Sequence, residues 1–488
     1  MFGFCLEPKP LSRTHLRLEA WATQSLERNT RMTTLVTRQL KIACRRMPAN
    51  PRVSRRTVEV AQLFGAGPPD GRVVVPDLSI PIGGGRIVAF VGPSGSGKTT
   101  ALAQIEQRYP AARNLERMSF PEGKALVDAV LPRGSLSDAL RILNLCALGE
   151  VQLWLRAYST LSAGEQFRAR LARALGAEMA AGGRGLLLID EFGSGLHRRA
   201  ARAIAHNLRK IVTRSGIAVA VATPHDDILS DLQPDTLVEF DGGASACISE
   251  RTPRRQPLSL MRRMHIEPGS RRDYEAFARM HYRTTDELGF VSKVFVMRER
   301  LRGPSVGIVV YSHPPAELAL RNQETGGRFK GDLKRLNREM RILRRLVVHP
   351  DLRGCGLGHR LVRRTLPLVG TPYVECLAAM GEVNPVFERA GMQRIGVCAT
   401  PQERERTVAQ LRELDVDPLA PDFEQQVCRR PRVRKLVAAQ VFRWYQATTG
   451  GGEKRVERQS PQLLARIFRG LVGMQPAYYL WKRKGAVR

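Results

Sequence analysis

The sequence predicts an α/β protein with two domains, each built around a glycine-rich loop that joins a strand to a helix. The chain has 488 residues, which is too long for a single hydrophobic core and indicates two or three domains. The first glycine loop begins at Gly92 and the second ends at Gly358. An apolar segment typical of a buried strand stands before each loop, and a helical segment follows each one.

The composition is strongly basic, with 78 Lys and Arg against 46 Asp and Glu and a formal net charge of +32. Such an excess favours a polyanionic partner, with nucleic acid first and an anionic membrane second. The cysteines are scattered without Cys-x-x-Cys or metal-ligand spacing, which is typical of reduced thiols. No apolar run approaches the length of a membrane span. We therefore expect a cytoplasmic protein.

The chain opens with a basic, acid-poor segment that we assign to an N-terminal extension over residues 1–51. An organellar transit peptide, or a true start at Met32 or Met47, would give the same pattern. The first folded domain is predicted over residues 52–250.

The first glycine loop, residues 92–100, reads GPSGSGKTT and matches the P-loop pattern G-x-x-x-x-G-K-S/T. Its glycines let backbone N–H groups turn towards phosphates at a helix N-terminus, where the helix dipole favours anions. We predict that Lys98 reaches the β- and γ-phosphates and that Thr99 binds Mg²⁺. Phe64 is predicted to stack on adenine, with a core role as the alternative. The predicted nucleotide-binding residues of the loop are Gly92, Ser94, Gly95, Gly97, Lys98, Thr99 and Thr100.

Three further motifs follow in order: LSAGEQ at residues 161–166, a strand ending in Asp190-Glu191, and a strand followed by Pro224-His225. Together with the P-loop they resemble the ABC-type ATPases. The resemblance implies that Asp190 holds Mg²⁺, that Glu191 polarises the attacking water, and that His225 lies near the γ-phosphate. It also implies that Ser162 and Gly164 face ATP bound to a second subunit, so that ATP drives homodimer formation.

Some residues depart from the family pattern. Glu165 stands where transporters usually carry Gln, and His197 stands where Asp is usual. No clear Q-loop glutamine is found, and Asp128 is a candidate substitute. The helical region after the P-loop is short, which leaves little surface for a permease. We therefore rank a transporter ATPase last among the candidate functions.

A polar, proline-containing linker is predicted over residues 251–261, and a second α/β domain over residues 262–400. A strand ending at Val348 is followed by HPDLRGCGLG at residues 349–358, a helix, and later NPVFERAGM at residues 384–392. This pattern resembles the GNAT N-acetyltransferases. The resemblance implies a loop whose backbone N–H groups bind the pyrophosphate of acetyl-CoA. The implied acetyl-CoA residues are Val348, Arg353, Gly354, Gly356, Gly358 and Asn384.

The resemblance also implies direct transfer, in which an amine attacks the thioester, a base takes its proton and an acid protonates the leaving thiolate. Phe387 stands where the family usually has the tyrosine acid, so the acid is unassigned. Glu375 is the first candidate base and Glu339 the second, with a structural role as the alternative for each. His281, at a helix end, is a candidate for acceptor contact or for a core cluster.

Residues 401–488 are predicted to form a basic helical C-terminal extension. Basic clusters interleave with aromatic residues such as Trp444 and Trp481, which suits phosphate contact with base stacking. A solvated tail whose aromatic rings pack on the second domain is the alternative.

The order of the two domains resembles ABC-type ATPases fused to a predicted acetyltransferase, over roughly residues 52–400. We therefore expect an ATP-coupled N-acetyltransferase that acts on nucleic acid or a nucleic-acid-bound target. An ATP-driven nucleic-acid machine with a non-catalytic GNAT fold, and an ATP-regulated protein acetyltransferase, remain as alternatives.

Overall fold

The computed structural model describes residues 36–46, 53–65, 72–242, 245–254, 256–281, 288–301, 303–381, 384–449, 456, 458–473, 475–483 and 485. The chain divides into two compact units. The first consists of Met1–Arg262 with Pro350–Cys355, and the second of Arg263–His349 with Gly356–Arg488.

The first unit alternates strands and helices, as the sequence predicts for a parallel sheet. Its strands are β1 (Arg38–Arg46), β2 (Arg72–Ile82), β3 (Ile87–Val91), β4 (Arg113–Asn114), β5 (Leu186–Ile189), β6 (Ala218–Thr223), β7 (Thr236–Phe240) and β8 (Ala246–Glu250). Its α-helices are α1 (Arg55–Phe64), α2 (Lys98–Arg108), α3 (Leu126–Val130), α4 (Leu136–Leu145), α5 (Val151–Trp154), α6 (Ala163–Ala180), α7 (Arg198–Ser215) and α8 (Leu229–Leu232).

Six strands form the main sheet of this unit in the order β4-β5-β6-β3-β7-β8. All neighbours are parallel except β7 and β8. Every side chain of β3, β5 and β6 is buried, as expected for strands covered on both faces. Because β5, β6 and β3 are adjacent and parallel, the residues that follow them meet at one edge of the sheet.

Strand β1 lies inside residues 1–51, which the sequence analysis assigned to a basic extension. That assignment is wrong for Arg38–Arg46, because this segment pairs antiparallel with β2. Leu40 and Ile42 alternate with exposed residues and enter the same hydrophobic core as Ile80. The part of the predicted extension that the structure describes is therefore a core strand of the first unit.

In the part of the second unit that the structure describes there are seven strands: β9 (His265–Gly269), β10 (Val291–Arg298), β11 (Ser305–Ser312), β12 (Met340–Val348), β13 (Tyr373–Ala378), β14 (Gln393–Val397) and β15 (Ala477–Lys482). Its described α-helices are α9 (Arg271–Ala278), α10 (Ala319–Glu324), α11 (Leu333–Glu339), α12 (Leu357–Thr365), α13 (Val386–Ala390), α14 (Gln402–Glu413), α15 (Phe423–Arg429), α16 (Pro431–Thr449) and α17 (Pro461–Val472).

These strands form one sheet in the order β14-β15-β13-β12-β11-β10-β9, in which only β12 and β13 are parallel neighbours. The pairing of β12 with β13 runs from Met340 opposite Tyr373 to Leu343 opposite Cys376 and then stops. Strand β12 nevertheless continues to Val348. The two parallel strands therefore separate at their carboxyl ends, next to the second glycine loop.

The prediction of a wholly helical C-terminal extension is wrong for Ala477–Lys482. This segment is β15, which lies between β13 and β14 in the sheet. Tyr478 and Tyr479 are fully buried there, because the strand is covered on both faces, so they cannot stack on nucleic-acid bases. Helices α14 to α17 are consequently an insertion between two neighbouring strands. Among the described residues, no helix is long and apolar enough to cross a membrane.

Candidate functional site

The P-loop has the backbone geometry that the sequence predicts for a phosphate-binding turn. Gly97 caps α2 in a left-handed conformation, with φ 104° and ψ 2°. A Cβ atom on Gly97 would lie 2.2 Å from the Val74 carbonyl oxygen, and one on Gly92 would lie 2.4 Å from the Phe240 oxygen. Only glycine fits both positions. The loop thus delivers the first-turn N–H groups of α2, which have no partner inside the helix, to the edge of the sheet.

Lys98 and Ser96 place buried polar groups inside this loop. The Lys98 side chain is 6% exposed, and its Nζ donates to the Gly92 oxygen at 2.9 Å and to the Pro93 oxygen at 2.6 Å. The Ser96 hydroxyl oxygen is buried without a hydrogen-bond partner among the described residues. Both of these acceptors are neutral carbonyl oxygens, so the buried Lys98 side chain favours an anionic ligand.

Thr99 and Asp190 supply the kinds of ligand that Mg²⁺ prefers. Thr99 lies in the first turn of α2, and Asp190 directly follows β5. A hydroxyl and a carboxylate suit a Mg²⁺ ion that keeps waters and takes its other ligands from phosphate. In the described part of the chain, no group of three or more His, Cys, Asp or Glu forms a self-contained metal site. The residues present therefore fit Mg²⁺ that arrives with a nucleotide.

Glu191 is held in a strained backbone conformation beside Asp190. Its φ is 48°, in the left-handed region, which costs roughly 1–2 kcal/mol for a residue with a Cβ atom. Its N–H donates to Asp190 Oδ1 at 2.9 Å, and the Ser194 hydroxyl donates to Glu191 Oε2 at 2.5 Å. Strain of this kind is typical of functional sites. Ser194 therefore orients the carboxylate that the sequence marks as the water-activating group.

His225 follows β6 and is followed by a short turn that is tied to α7. Asp227, two residues on, accepts hydrogen bonds from Arg198 Nε at 3.2 Å and from Arg202 Nη2 at 3.1 Å. Arg198 Nη1 also donates to the Gly193 oxygen at 3.5 Å, in the loop that carries Glu191. The pair of Asp227 and Arg198 therefore connects the His225 segment to the Glu191 loop.

The pKa of Asp227 agrees with these hydrogen bonds to arginine. Partial burial alone would raise the pKa of Asp227. Arg198 and then Arg202 outweigh that effect and hold the pKa below its usual range.

The LSAGEQ motif begins α6 with a reciprocal capping box. The Ser162 hydroxyl accepts from the Glu165 N–H at 3.4 Å, and Glu165 Oε2 accepts from the Ser162 N–H at 2.8 Å. Glu and Gln both complete such a box, which explains why Glu165 is compatible with the motif. A Cβ on Gly164 would lie 3.0 Å from the Gly195 oxygen, so this glycine permits a close approach. Ser162 is exposed, as a surface that meets another subunit requires.

Sequence reasoning missed Ser194, Arg198 and Asp227 as functional residues. Ser194 stands three residues after Glu191. Serine is common in turns, and this spacing could have suggested that its hydroxyl bonds back to Glu191. Asp227 and its partner Arg198 are 29 positions apart, so no local pattern could have paired them. Phe64, predicted to stack on adenine, ends α1 with 79% of its surface exposed. Its role stays a prediction.

In the second unit, the glycine loop repeats the geometry of the P-loop at the start of α12. Gly356 is the N-cap of α12 with φ 88° and ψ 15°, again left-handed. A Cβ on Gly358 would meet Val386 Cγ2 at 3.1 Å. Val348 ends β12, and Asn384 lies exposed just before α13. The residues that begin α12 therefore place first-turn N–H groups, which have no acceptor within the helix itself, beside the separated ends of β12 and β13.

The earlier part of the same loop belongs to the first unit and has other contacts. The Arg353 guanidinium donates to the Gly149 carbonyl oxygen, and burial lowers the pKa of Arg353. The Cys355 thiol is buried, and its Sγ donates to the Ala203 carbonyl oxygen at 3.8 Å. A Cβ on Gly354 would lie 3.2 Å from the Asn144 oxygen. The Arg353 side chain is therefore engaged by neighbours within the first unit.

Glu375, the first candidate base, is fully enclosed in the second unit. Its Oε1 accepts from Arg321 Nη1 at 3.2 Å and its Oε2 accepts from the Tyr478 hydroxyl at 3.0 Å. Burial raises the pKa of Glu375 to about 7, against the lowering effects of Arg321 and Tyr478. A base must reach the proton that it removes. None of the Glu375 surface is exposed, so its carboxyl group does not reach a substrate from this enclosed position.

The other predicted groups of this domain have defined neighbours. Glu339 accepts from Arg328 Nη2 at 2.9 Å and from Arg335 Nε at 3.3 Å. Partial burial would raise the pKa of Glu339, but these arginines hold it below the usual range. Phe387 packs with its ring centre 5.3 Å from that of Tyr479. His281 is half-buried after α9, and the residues that follow it lie outside the described part of the chain.

Comparison with known proteins gives matches to the first unit. No protein-family model matches the chain. The "Zinc import ATP-binding protein ZnuC" of Ruegeria pomeroyi is 32% identical over 172 residues, which cover 32% of this chain and 65% of that protein. The "Hemin import ATP-binding protein HmuV" of Rhizobium meliloti is 31% identical over 213 residues, which cover 36% of this chain and 78% of that protein. The corresponding protein of Rhodopseudomonas palustris strain CGA009 is 31% identical, with 36% and 76% covered.

The chain spans 65% and 66% of the length of two zinc import relatives, slightly less than two thirds. Among solved structures, a dimeric ATP-binding cassette with ADP and Pi has a TM-score of 0.33 and 16% identity, covering 45% of this chain and 100% of that one. A bacterial Atm1-family ABC exporter with ATP has a TM-score of 0.30 and 21% identity, covering 37% and 36%. Scores this low do not by themselves establish a shared architecture.

Proposed function

The chain belongs to the ABC-type ATPases through its first unit, and from that membership we propose that it combines ATP hydrolysis there with acetyl-CoA-dependent N-acetyl transfer in its second unit. One observation carries the first half of the proposal. The P-loop, Asp190-Glu191 and His225 follow β3, β5 and β6, which are adjacent parallel strands. The phosphate-binding turn and the candidate groups for hydrolysis therefore meet at one edge of the sheet.

Each residue has a separate role in the proposed hydrolysis. The first-turn N–H groups of α2 and the Lys98 ammonium bind the phosphates, and Thr99 and Asp190 hold Mg²⁺. Bound Mg²⁺ supplies neutralisation of charge on the phosphate oxygens. Glu191, oriented by Ser194, accepts a hydrogen bond from the attacking water and aligns it with the γ-phosphorus. His225 donates to a γ-phosphate oxygen. Catalysis is then mainly positioning and electrostatic stabilisation.

We place the exposed Ser162 and the half-buried Gly164 against ATP bound to a second copy of the chain. The capping box uses the Glu165 N–H and leaves the N–H groups of Ala163 and Gly164 at the start of α6, where the helix dipole favours the γ-phosphate of a partner. ATP should therefore produce a homodimer, and Glu191→Gln should accumulate it because hydrolysis is slowed. Light scattering at saturating ATP tests this assembly. A variant that stays monomeric under these conditions contradicts it.

The acetyl-transfer half rests on the start of α12 and the separated ends of β12 and β13. The N–H groups at this helix N-terminus suit the pyrophosphate of acetyl-CoA, and the gap between the parallel strands offers a place for its thioester arm. The acceptor amine attacks the thioester carbonyl carbon, the C–S bond breaks, and the thiolate leaves. The amine loses a proton to a base and the thiolate gains one. The structure encloses Glu375, so we assign no base.

We place the acceptor on nucleic acid or on a nucleic-acid-associated molecule in the cytoplasm, because the net charge of +32 favours polyanions. Mass spectrometry of nucleic acid and protein from cells with and without this chain tests the proposal. An acetyl increment of one pool, present only with the intact chain, supports transfer and identifies the acceptor class. No increment in either pool contradicts the acetyltransferase assignment.

A second candidate function is the ATPase subunit of an importer. The names of the relatives in Ruegeria pomeroyi and Rhizobium meliloti favour it, since both are import ATP-binding proteins. The sequence alone had placed a transporter ATPase last among the candidate functions. It requires a separate membrane-spanning partner. Isolation of the tagged chain from solubilised membranes separates the readings, because a stoichiometric membrane-spanning partner would favour import.

A further inference from the structure

The inserted helices α14 to α17 form a small bundle with a hydrophobic core of its own. The chain leaves the sheet after β14, forms helices α14 to α17, and returns to the sheet as β15. Its core is made by its own apolar side chains, which include Leu411, Phe423, Val437, Leu464 and Phe468. The bundle therefore adds a folded surface to the second unit without supplying a strand to the sheet.

Charge is distributed unevenly along this insertion. Residues 425–452 contain six Arg and Lys and no Asp or Glu. Acidic residues are instead concentrated before this stretch, from Glu403 to Glu424. The cations of the stretch therefore sit on α16 and on the end of α15, with no acidic residue between them in sequence.

Helix α16 presents these cations on one face and its apolar residues on the other. Val433, Val437 and Val441 recur at intervals of four residues and are buried in the bundle core. Arg432, Lys435 and Arg443 are exposed and project from roughly the opposite side of the helix. They span eleven positions, or about 16 Å along the axis.

Arg429 and Arg430, exposed at the junction of α15 and α16, extend this face. We call the set the basic row, and its members are Arg429, Arg430, Arg432, Lys435 and Arg443.

The contacts of neighbouring arginines show which cations are available. Arg434 donates to the carbonyl oxygens of Val427 at 3.3 Å and Cys428 at 2.5 Å, so it fastens the two helices and does not belong to the row. Arg443 pairs with Glu403 at 3.2 Å, with 54% and 62% of the two side chains exposed. An ion pair this exposed is weak and exchanges readily for another anion.

We propose that the basic row binds the phosphate backbone of a nucleic acid, a step that rests on the nucleic-acid target of the proposed function. An amphipathic helix that lies in a membrane interface inserts an apolar face beside its cations. The apolar face of α16 is already buried in the bundle core, and the outward face otherwise offers Ala439 and Gln446. Trp444, next to Arg443 and 36% exposed, adds a ring on which an unpaired base can stack.

The test replaces all members of the basic row with Gln in the full chain. The matched control replaces as many exposed cations elsewhere in the second unit: Arg271, Arg272, Lys330, Lys334 and Arg338. Binding of fluorescein-labelled single-stranded DNA, single-stranded RNA and duplex DNA is measured by anisotropy over a range of salt. Anionic phosphatidylserine vesicles are the membrane probe, and far-UV circular dichroism with thermal unfolding reports that the helical bundle is folded in each variant.

We expect the basic-row variant to bind single strands at least tenfold more weakly than wild type near physiological salt. The slope of log affinity against log salt should flatten by about 3.5 to 4.5, since five phosphate contacts contribute roughly 0.7 to 0.9 each. The control variant should keep most of the affinity and slope. A separate Trp444→Ala variant should weaken single-stranded binding more than duplex binding.

The outcomes separate this inference from the function beneath it. If wild type binds nucleic acid and the basic-row variant binds it as tightly, or if both variants weaken equally, the row is not the site. If the row variant loses only vesicle binding, the partner is a membrane and the inference is wrong. If wild type binds no nucleic acid at any salt concentration, the nucleic-acid target of the proposed function fails as well.

Discussion

The two glycine loops of this chain have the same backbone conformation at the start of the helix that follows. They differ in the side chains around that point. Each starts a helix from a left-handed glycine, Gly97 with φ 104° and Gly356 with φ 88°. At the first loop, Lys98 lies inside the turn, and Asp190 and Glu191 follow a strand of the same parallel sheet. At the second loop, the Arg353 side chain donates instead to the Gly149 oxygen.

This difference shows what a glycine loop specifies and what it leaves open. The loop fixes a turn that aims N–H groups at an anion, and that much is common to both sites. The reaction depends on side chains brought in by neighbouring strands. The first unit supplies such side chains at one sheet edge. The second unit encloses the carboxylate on β13, Glu375, with Arg321 and Tyr478.

The largest expected effect is at the first loop, with Glu191→Gln. We expect the steady-state ATPase rate to fall by about 10² to 10⁴, the usual contribution of a group that activates the nucleophile, while nucleotide affinity changes little. Ser194→Ala should lower the rate less, because it removes only the hydrogen bond that orients Glu191. A Glu191→Gln variant that hydrolyses ATP at close to the wild-type rate would remove Glu191 from the mechanism.

The second expected effect concerns Glu375 and is one of stability. Its pKa is raised to about 7 from 4.5 in the folded chain. Between these values the unfolded chain has released the proton and the folded chain has kept it. The free energy of unfolding therefore falls as pH rises through this window, by roughly 3 kcal/mol in total, and levels off above it.

Hydrogen exchange of β13 and β15 peptides from pH 5 to pH 8, corrected for intrinsic rates, measures this fall. Glu375→Gln should flatten it, and the exposed Glu413→Gln should leave it unchanged. The same variants sharpen the comparison of the two loops. Loss of acetyl transfer in Glu375→Gln with an unchanged pH profile of stability would show that Glu375 is a base and not a buried structural group.

The smallest expected effect is that of Asp227→Asn. Exposed ion pairs contribute about 0.2 to 1 kcal/mol each, so loosening the His225 segment from Arg198 and Arg202 should lower the kcat of ATP hydrolysis roughly fivefold. The KM for ATP should stay unchanged, since the P-loop is untouched. Asp226→Asn, at the adjacent exposed position, is the matched control. Equal effects of the two substitutions would show that Asp227 has no special role in positioning His225.

Sequence patterns were sufficient wherever a motif is local. The P-loop, the strand before Asp190 and the helix after Gly356 were predicted because strand, turn and helix follow one another without a gap. Patterns failed where partners are distant in sequence. Arg321 meets Glu375 across 54 positions, and Tyr478 meets it across 103. No local signal marks such pairs.

The prediction for the C-terminal region was wrong at Ala477–Lys482 for the same reason. Its aromatic and basic composition suggested a tail, whereas β15 pairs with β13 and β14, from which the helical insertion separates it in sequence. The buried alternation of β1 was likewise hidden by the basic residues around it.

The most direct test of the account is calorimetry of ATP and acetyl-CoA binding to the full chain. The account predicts that wild type binds both and that Gly356→Leu weakens acetyl-CoA binding at least tenfold without changing ATP affinity. The Leu Cβ would lie 2.9 Å from His359 Cε1, at φ +88°, at the start of α12. Gly391→Leu is the matched control, because Gly391 has φ +97° and no atom within 4 Å of its Cβ position. Equal acetyl-CoA affinity in wild type and Gly356→Leu, or no acetyl-CoA binding by wild type, would contradict the claim that the two loops bind two different ligands.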